Sequence, residues 1–260
     1  MTNSSNPKLL AQEVRKRCNS SLTGPCDLDG LLRSLHLGLR LVPLHGLHGL
    51  LTEQDGRFTV VVNSEDAAAR QRFTIAHEAS HFLLGHTNNS SPLERSPKAA
   101  KADARTEREC DNLAAEILMP SSGYGALILG RRPGISLILE MAARYQVSVE
   151  SSALRFAALT EVKCQVSKWQ FKDDTFVCRW AAGSAKLIAR GESFAAGFRT
   201  YGIREAYRGE ETVLNQEEVG SGRDPLQAAA ESRGFGPRKW RYVLCTMTPV
   251  DVGQKKGAQT

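Results

Sequence analysis

The sequence is constrained most by the five residues His77-Glu78-Ala79-Ser80-His81, an H-E-x-x-H motif inside a stretch with helical apolar spacing. A helix is predicted from Arg72 to Leu84, with Gly85 at its carboxyl terminus. Residues i and i+4 share one helix face, so the two imidazoles can bind one ion. Zinc suits neutral imidazole, and a catalytic zinc needs three protein ligands with a fourth position for water. Glu78 is then placed to take a proton from that water.

A third ligand must come from another segment, and the next helical stretch offers Glu107-Arg108-Glu109-Cys110-Asp111. The four-residue spacing puts Glu107 and Asp111 on one helix face. We therefore expect Glu107 to bind the ion and Asp111 to accept a hydrogen bond from a ligand histidine. Glu109 projects roughly 200° away from Glu107 around the helix, so it is a weaker candidate than Glu107 for the third ligand. Asp111 taken alone is also compatible with a solvated helix charge or cap.

Other polar side chains are weaker candidates for chemistry. His86, directly after Gly85, is compatible with a local hydrogen bond as well as with a metal or transition-state role. Tyr124 is a candidate for stabilising an oxyanion. Its position in a flexible Ser-Gly stretch makes a non-catalytic role the preferred interpretation. Cys110 needs no chemistry if it is a small buried hydrophobe. Three further histidines, His36, His45 and His48, are expected to be surface or structural residues.

Two blocks of this sequence resemble the ImmA/IrrE family of metallopeptidases. The first block is Arg72-Phe73-Thr74-Ile75-Ala76-His77-Glu78-Ala79-Ser80-His81, against the family's R-F-T-x-A-H-E-x-x-H. The second joins Glu107 to Asp111 with Ala114-Ala115-Glu116-Ile117-Leu118-Met119-Pro120, against E-x-x-x-N/D and A-A-x-x-L-M-P. The resemblance covers roughly Asp27 to Leu159. Ser80 and Asp111 depart from the frequent glycine and asparagine, but serine still allows close packing and aspartate still accepts a hydrogen bond.

The resemblance implies a zinc-dependent, site-specific endopeptidase that cleaves a helix-turn-helix transcriptional repressor. Cleavage would derepress mobile-element genes or, in the IrrE branch, genes of the radiation and desiccation response. The expected metal is zinc, with manganese left open. The repressor is the implied partner, and the net charge of +6 permits contact with nucleic acid without requiring it.

Composition sets further limits. With 41% hydrophobic residues, a chain of 260 residues can bury a substantial core. The six cysteines are scattered and form no C-x-x-C pair, which argues against a disulfide framework and against a cysteine-ligated zinc site. The first thirty residues are charged and lack an apolar run, so neither a signal peptide nor a membrane span is expected. We therefore expect a cytoplasmic protein.

The hydrophobic pattern predicts an α+β protein in three parts. The resemblance implies what these parts are: a zincin-like metallopeptidase domain with a small sheet and an active-site helix over residues 1–126, a helix-turn-helix-like segment over 127–160, and an α/β regulatory domain over 161–260. A GAF-like fold for the third part is implied by the resemblance alone. Residues from Thr87 to Arg105 are expected to form a long exposed loop. Glycine-rich loops are expected between Gly183 and Gly222.

Individual elements follow from apolar spacing and turn residues. Helices are predicted twice within Pro7 to His36, then at Arg72 to Leu84, Thr106 to Leu118, Ser136 to Tyr145 and Val149 to Leu159. Strands are predicted at Gly38 to Val42, Gly49 to Thr52, Arg57 to Asn63, Val162 to Lys168, Thr175 to Trp180 and Trp240 to Met247. The tryptophans Trp169, Trp180 and Trp240 are expected to form a small core or to line a ligand pocket.

Two alternative functions stay open. Ala142-Ala143-x-Tyr145-x-Val147-Ser148 resembles the A-x-x-[FY]-x-V-S pattern of helix-turn-helix pairs, so the rival is a DNA-binding regulator with a structural metal site. The second helix of this pair begins with the acidic Glu150 and carries a single arginine, Arg155. Such a helix offers a poor surface for binding DNA phosphates. This favours packing or repressor docking over DNA binding. A zinc-bound scaffold that does not cut is disfavoured by Glu78, since a scaffold needs no base.

Overall fold

The chain is a mixed α+β protein. The computed structural model describes residues 6–86, 97–195, 203–208, 215–219, 226–236 and 242–249. It divides into two compact units: an amino-terminal unit of residues 1–127 and 141–148, and a carboxyl-terminal unit of residues 128–140 and 149–260. Among the described helices, none is long and apolar enough to cross a membrane.

The amino-terminal unit begins with two short helices, as predicted. Its elements are α1 (Pro7–Arg17), α2 (Leu28–Ser34), β1 (Gly38–Val42), β2 (Gly49–Gln54), β3 (Arg57–Asn63), α3 (Ala68–Leu83), α4 (Pro97–Leu118) and α5 (Ser121–Ile128). Both α1 and α2 start at polar caps, where Asn6 accepts from Lys8 N–H and Asp27 accepts from Gly30 N–H, each at 2.9 Å.

The small sheet has the strand order β1-β3-β2. β3 pairs in parallel with β1 and antiparallel with β2. Asp55 and Gly56 join β2 to β3 with φ of 54° and 73°, as a two-residue hairpin turn requires. Val60 and Val62 of β3 have no exposed surface. The three predicted strands are confirmed, and β2 runs two residues further than the sequence predicted.

The two helices α3 and α4 lie against each other, and α3 also packs on β2 and β3. The helix predicted around the H-E-x-x-H motif is confirmed, with its start four residues earlier, at Ala68. The prediction of a loop from Thr87 to Arg105 is wrong for residues 97–105, because α4 begins at Pro97. Residues 87–96 lie outside the described residues.

The physical reason for the earlier start of α4 lies in residue types that a hydrophobicity pattern ignores. Proline is favoured in the first turn of a helix, where its missing N–H costs no hydrogen bond. The alanines and lysines that follow are strong helix formers although they leave no apolar stripe. Within the stretch predicted as a loop, Arg95 lies outside the described residues, and Arg105 is an exposed residue of α4.

The helix α5 was missed because Ser121-Ser122-Gly123 has low helix propensity. Its start is held by Glu116, whose carboxylate accepts from Ser121 N–H at 2.9 Å. Tyr124 on this helix has no exposed surface and stacks on Tyr145 at 5.5 Å between ring centroids. Tyr124 is therefore a core residue.

The carboxyl-terminal unit holds most of the remaining elements. These are α7 (Val149–Leu159), β4 (Gln165–Lys172), β5 (Thr175–Gly183), β6 (Ser193–Ala195), α8 (Ile203–Arg208), β7 (Asn215–Val219), β8 (Leu226–Phe235) and β9 (Tyr242–Pro249). Before them, α6 (Ile135–Tyr145) begins in this unit and ends in the amino-terminal unit. The predicted helices here are confirmed, with α6 starting one residue earlier.

The large sheet of this unit has the order β6-β5-β4-β9-β8-β7, with antiparallel pairing throughout. The elements β6, α8 and β7 fall where the sequence predicted glycine-rich loops, so that prediction is wrong for them. The core cluster includes Trp169, Phe176 and Ile203. Trp169 is thus a core residue, and Trp240 lies outside the described residues.

All six cysteines are free and buried. Burial raises the pKa of Cys164 and of Cys178 to about 11, which keeps these thiols protonated near neutral pH.

Candidate metal centre

The two histidines of the H-E-x-x-H motif face the same point from α3. They are one helical turn apart, and their Nε2 atoms are separated by 3.1 Å. Each side chain is 15% exposed, so the pair is shielded without being sealed from solvent. Burial lowers the pKa of His81, as does the neighbouring His77, while Glu107 raises it. The neutral imidazole that metal binding requires is therefore favoured at His81.

The packing of α4 against α3 brings Glu107 to these histidines. Glu107 Oε2 lies 3.2 Å from His77 Nε2, and Oε1 lies 3.6 Å from His81 Nε2. Ligand atoms around a tetrahedral zinc with bonds of about 2.0–2.1 Å lie about 3.4 Å apart. The observed separations are close to that value. One donor atom from each of the three residues lies within 4.8 Å of the others, so the trio is able to hold one ion.

Asp111 occupies the next turn of α4 and reaches the other nitrogen of His77. Its Oδ1 lies 3.0 Å from His77 Nδ1. If Nδ1 carries the proton, the hydrogen bond to Asp111 leaves the Nε2 lone pair directed at Glu107. One helix face thus offers both a candidate ligand and a group that orients another candidate ligand.

Glu78 directly follows His77 on α3 and is 9% exposed. Burial raises the pKa of its carboxyl group; His77 opposes this rise, Glu107 adds to it, and a hydrogen bond from Leu51 N–H opposes it. A carboxylate with a raised pKa is a better proton acceptor at neutral pH than an exposed one. The contact with Leu51, in β2, also fixes where the carboxylate lies.

Glu109 takes no part in this cluster of side chains. Its Oε1 accepts a hydrogen bond from Arg105 Nε at 2.8 Å, one turn earlier on α4. This pair lies on the exposed face of the helix. The helical periodicity that separated Glu107 from Glu109 in the sequence therefore corresponds to two different environments.

Two small residues of α3 within the H-E-x-x-H motif are fully buried. Ser80 has no exposed surface, and its hydroxyl donates to Ala76 O at 2.7 Å within α3. The serine at a position where the family frequently has glycine is thus accommodated by a bond within its own helix. Ala79 beside it is also fully buried.

His86 and Cys110 lie next to the candidate centre. The sequence had made both of them weak candidates for a chemical role. His86 Nδ1 is 3.6 Å from Cys110 Sγ, and the rings of His81 and His86 are 6.1 Å apart. Burial raises the pKa of the Cys110 thiol to about 12, and Glu107 adds to the effect. The signal for this contact was present in the sequence, as His86 is five residues after His81 and Cys110 three after Glu107.

The remaining histidine candidates behave as expected for surface or structural residues where the structure gives their contacts. His48 Nδ1 lies 2.8 Å from Asp66 Oδ2, and His48 is exposed. His36 has φ of 57° and follows the end of α2, where it takes part in the chain reversal. These residues belong to turns of the chain.

The helix that would read DNA in a helix-turn-helix pair makes contacts inside the carboxyl-terminal unit. At its start Glu150 accepts from Lys168 Nζ at 2.7 Å and from Trp180 Nε1 at 2.8 Å. Ala153 and Phe156 of the same helix have no exposed surface. The start and one face of α7 are therefore occupied by protein contacts.

Two histidines of H-E-x-x-H and a glutamate from a second helix, with donor atoms within 4.8 Å of one another, form the set of ligands typical of H-E-x-x-H metallopeptidases. Residues 37–157 match the family model for the IrrE N-terminal-like domain, peptidase family M78. This match supports the resemblance of these residues to the ImmA/IrrE family that the two sequence blocks indicated.

Two relatives carry the name radiation response metalloprotease IrrE. The protein from Deinococcus deserti is 28% identical over 173 residues, which cover 60% of this chain and 59% of that protein. The protein from Deinococcus radiodurans is 33% identical over 124 residues, which cover 47% of this chain and 36% of that protein. The matches thus span less than two thirds of either relative.

A solved structure of a Mycobacterium tuberculosis transcriptional regulator resembles the whole fold. It superposes with a TM-score of 0.62 at 12% identity, covering 95% of this chain and 77% of that chain. At this level of identity the likeness concerns the fold alone.

Proposed function

We propose that this chain is a zinc-dependent endopeptidase in which His77, His81 and Glu107 bind the metal. The observation that supports this most directly is the convergence of their three donor atoms within 4.8 Å. The donor set of two imidazoles and one carboxylate suits zinc, with manganese as the alternative ion. The bound ion would supply Lewis-acid polarisation of a peptide carbonyl and acidify a water molecule.

Glu78 is the proposed general base. Its carboxylate accepts the proton of the attacking water and then delivers it to the leaving amine of the cleaved peptide bond. The burial that raises its pKa and the hydrogen bond from Leu51 N–H both suit this role. Asp111 is proposed to hold His77 in the tautomer that presents Nε2 to the ion.

The edge of β2 is the proposed docking place for an extended peptide. Among the described strands, β2 pairs with β3 alone, so its other edge has backbone groups available. Leu51 N–H on that edge points to Glu78. A substrate segment that adds to β2 as a further strand would therefore run past the general base.

The proposed substrate is a helix-turn-helix transcriptional repressor, whose cleavage derepresses stress-response or mobile-element genes. This proposal is supported by the match of residues 37–157 to the IrrE N-terminal-like domain and by the two relatives named for a radiation response. Residues 127–160 are proposed to dock the repressor, and residues 161–260 to form a regulatory, sensor-like domain. The zincin-like, helix-turn-helix-like and GAF-like assignments belong to this proposal, as does a cytoplasmic location.

The catalytic roles are tested by comparing Glu78→Gln with Glu109→Gln. Each protein is assayed for bound zinc and for cleavage of the helix-turn-helix repressor encoded nearby, followed by mass analysis of the fragments. Glu78→Gln should keep its zinc and lose cleavage, because an amide cannot take the proton. Glu109→Gln should match the unmodified protein, since Glu109 pairs with Arg105.

The ligand roles are tested separately by metal content. Alanine at His77, His81 or Glu107 should lower bound zinc, while alanine at Glu109 should not. A folded Glu107→Ala protein with full zinc affinity would show that the third ligand lies elsewhere. Cleavage that persists after removal of metal by a chelator would reject the metallopeptidase proposal.

The rival function as a DNA-binding regulator is disfavoured by the contacts of Glu150 with Lys168 and Trp180. An acidic residue engaged in this way at the start of α7 offers no binding site for a phosphate. The two functions predict different responses to a chelator. Removal of metal should abolish repressor cleavage in the proposed function, whereas sequence-specific DNA binding that is insensitive to Glu78→Gln would support the rival.

A further inference from the structure

A second group of metal-binding side chains lies beside the candidate centre. His81, His86 and Cys110 each offer one donor atom within 4.8 Å of the other two. Cys110 has no exposed surface, while His81 and His86 are partly exposed, so an ion has a route to the group through the imidazoles. The proposed peptidase mechanism uses His81 alone of these three.

The end of α3 fixes the position of His86. Gly85 adopts φ of 73°, its N–H donates to Phe82 O at 3.2 Å, and His86 N–H donates to His81 O at 2.9 Å. These two bonds are the hydrogen-bond pair of a Schellman motif, in which a left-handed glycine reverses the chain after a helix. His86 is therefore returned to the last turn of α3, next to His81, by backbone geometry.

The position of Cys110 follows from α4. It lies three residues after Glu107, so the same packing of α4 on α3 that brings Glu107 to the first group brings Cys110 to the second. Cys110 Sγ and His86 Nδ1 are 3.6 Å apart. Around a tetrahedral zinc, with Zn–S of about 2.3 Å and Zn–N of about 2.0–2.1 Å, a sulfur and a nitrogen ligand lie about 3.6 Å apart. The pair already has the separation that a shared ion requires.

We propose that His81, His86 and Cys110 form a second metal-ion site that binds zinc or a similar borderline divalent ion. Thiolate with imidazole is a donor set that suits zinc and cobalt and disfavours magnesium or calcium. As the sulfur–metal bond forms, the Cys110 thiol releases its proton to solvent. The scattered cysteines had argued against a cysteine-ligated site, but a single cysteine with two histidines needs no C-x-x-C pair.

The two metal positions are coupled because they share His81. One ring nitrogen binds one ion, so an ion at the second position either takes His81 from the first or bridges through its other nitrogen. Displacement removes one of the three ligands of the first ion, whereas bridging turns the shared ring into an imidazolate and so changes the charge around the first ion. Excess zinc should then inhibit the peptidase, and this consequence, unlike the binding itself, rests on the proposed function.

Cobalt titration of the metal-free, full-length protein tests the binding. Cobalt bound to a thiolate gives a sulfur-to-metal charge-transfer band in the near ultraviolet, which nitrogen and oxygen ligands do not give. The unmodified protein should develop this band, and Cys110→Ala should lose it. Cys178→Ala, which removes a buried thiol of the carboxyl-terminal unit, is the matched control and should keep the band.

Further variants separate this proposal from folding defects and from the proposed function. His86→Gln changes a partly exposed residue and should weaken the band even if Cys110→Ala does not fold. His77→Ala should impair the first position yet keep the band, and Glu78→Gln should keep it whether or not the protein is a peptidase. The proposal is overturned if the unmodified protein binds cobalt without the band, or if Cys110→Ala keeps it. Loss of the band in folded His77→Ala would assign the thiolate to the first position, and this result would also overturn the proposal.

Discussion

Removal of the Asp111 carboxylate is expected to weaken zinc binding through His77. Asp111 Oδ1 is 3.0 Å from His77 Nδ1, and the Asp111 side chain is 55% exposed. Loss of a group that orients a ligand histidine costs roughly 10–100-fold in metal affinity. Because solvent can partly replace a half-exposed acceptor, we expect the lower end for Asp111→Ala, about tenfold or ~1.4 kcal/mol. Asp111→Asn keeps an oxygen that accepts from Nδ1–H and should bind zinc within a few-fold of the unmodified protein.

The affinity is measured by competition with a chromophoric chelator, using Glu109→Ala as the matched control on the same helix. Glu109 contacts Arg105 and lies outside the candidate centre, so its removal should leave zinc affinity unchanged. Far-ultraviolet circular dichroism establishes that each variant is folded. If Asp111→Ala binds zinc as tightly as the unmodified protein while His77→Ala does not, Asp111 has no orienting role.

Two further predictions concern the stability of the amino-terminal unit. Arg15→Met should lower the free energy of unfolding by about 3 kcal/mol, because the buried guanidinium donates to Ile117 O at 2.6 Å and to other carbonyls that would lose their donor; denaturant titration measures this. Gly123→Ala should cost more than about 2 kcal/mol, since an added Cβ would lie 1.8 Å from Leu22 O. Gly125→Ala, with nothing within 4 Å of the new Cβ, should be neutral or slightly stabilising, and equal melting temperatures for the two glycine variants would contradict this account.

The parts of the fold that the sequence predicted are those with a regular pattern of apolar residues. The strand Arg57–Asn63 was predicted to the residue because β-branched residues fill it. The helix with the H-E-x-x-H motif was predicted because its buried side recurs at helical spacing and Gly85 marks its end. Local preference and burial agree in both elements.

The secondary-structure prediction was wrong where the pattern of apolar residues and the helix propensity of the residues disagree. The start of α4 at Pro97 was missed because alanine and lysine form helices without an apolar stripe. Conversely, α5 was missed because serine and glycine form helices poorly, and the backbone of Leu22 against Gly123 is what requires the glycine there. Neither the packing partner nor the register between distant segments can be read from one sequence.

The candidate centre depends on the placement of α4 more than on any single side chain. Within five residues of this helix, Glu107 meets both histidines, Cys110 meets His86 and Asp111 meets His77. A shift of α4 along its axis by one residue would move all three by about 1.5 Å, which is enough to break contacts of 3.0–3.6 Å.

Two contacts at the far end of α4 oppose such a shift. Arg15 of α1 donates to Ile117 O at 2.6 Å, and Glu116 accepts from the first N–H of α5 at 2.9 Å. The carbonyl of Ile117 lies near the helix end, where backbone acceptors have no partner within the helix. A buried arginine that binds α4 at Ile117, ten residues after Glu107, therefore fixes the register of the helix that carries this candidate ligand. Zinc affinity should consequently fall in Arg15→Met even though Arg15 makes no contact with the centre.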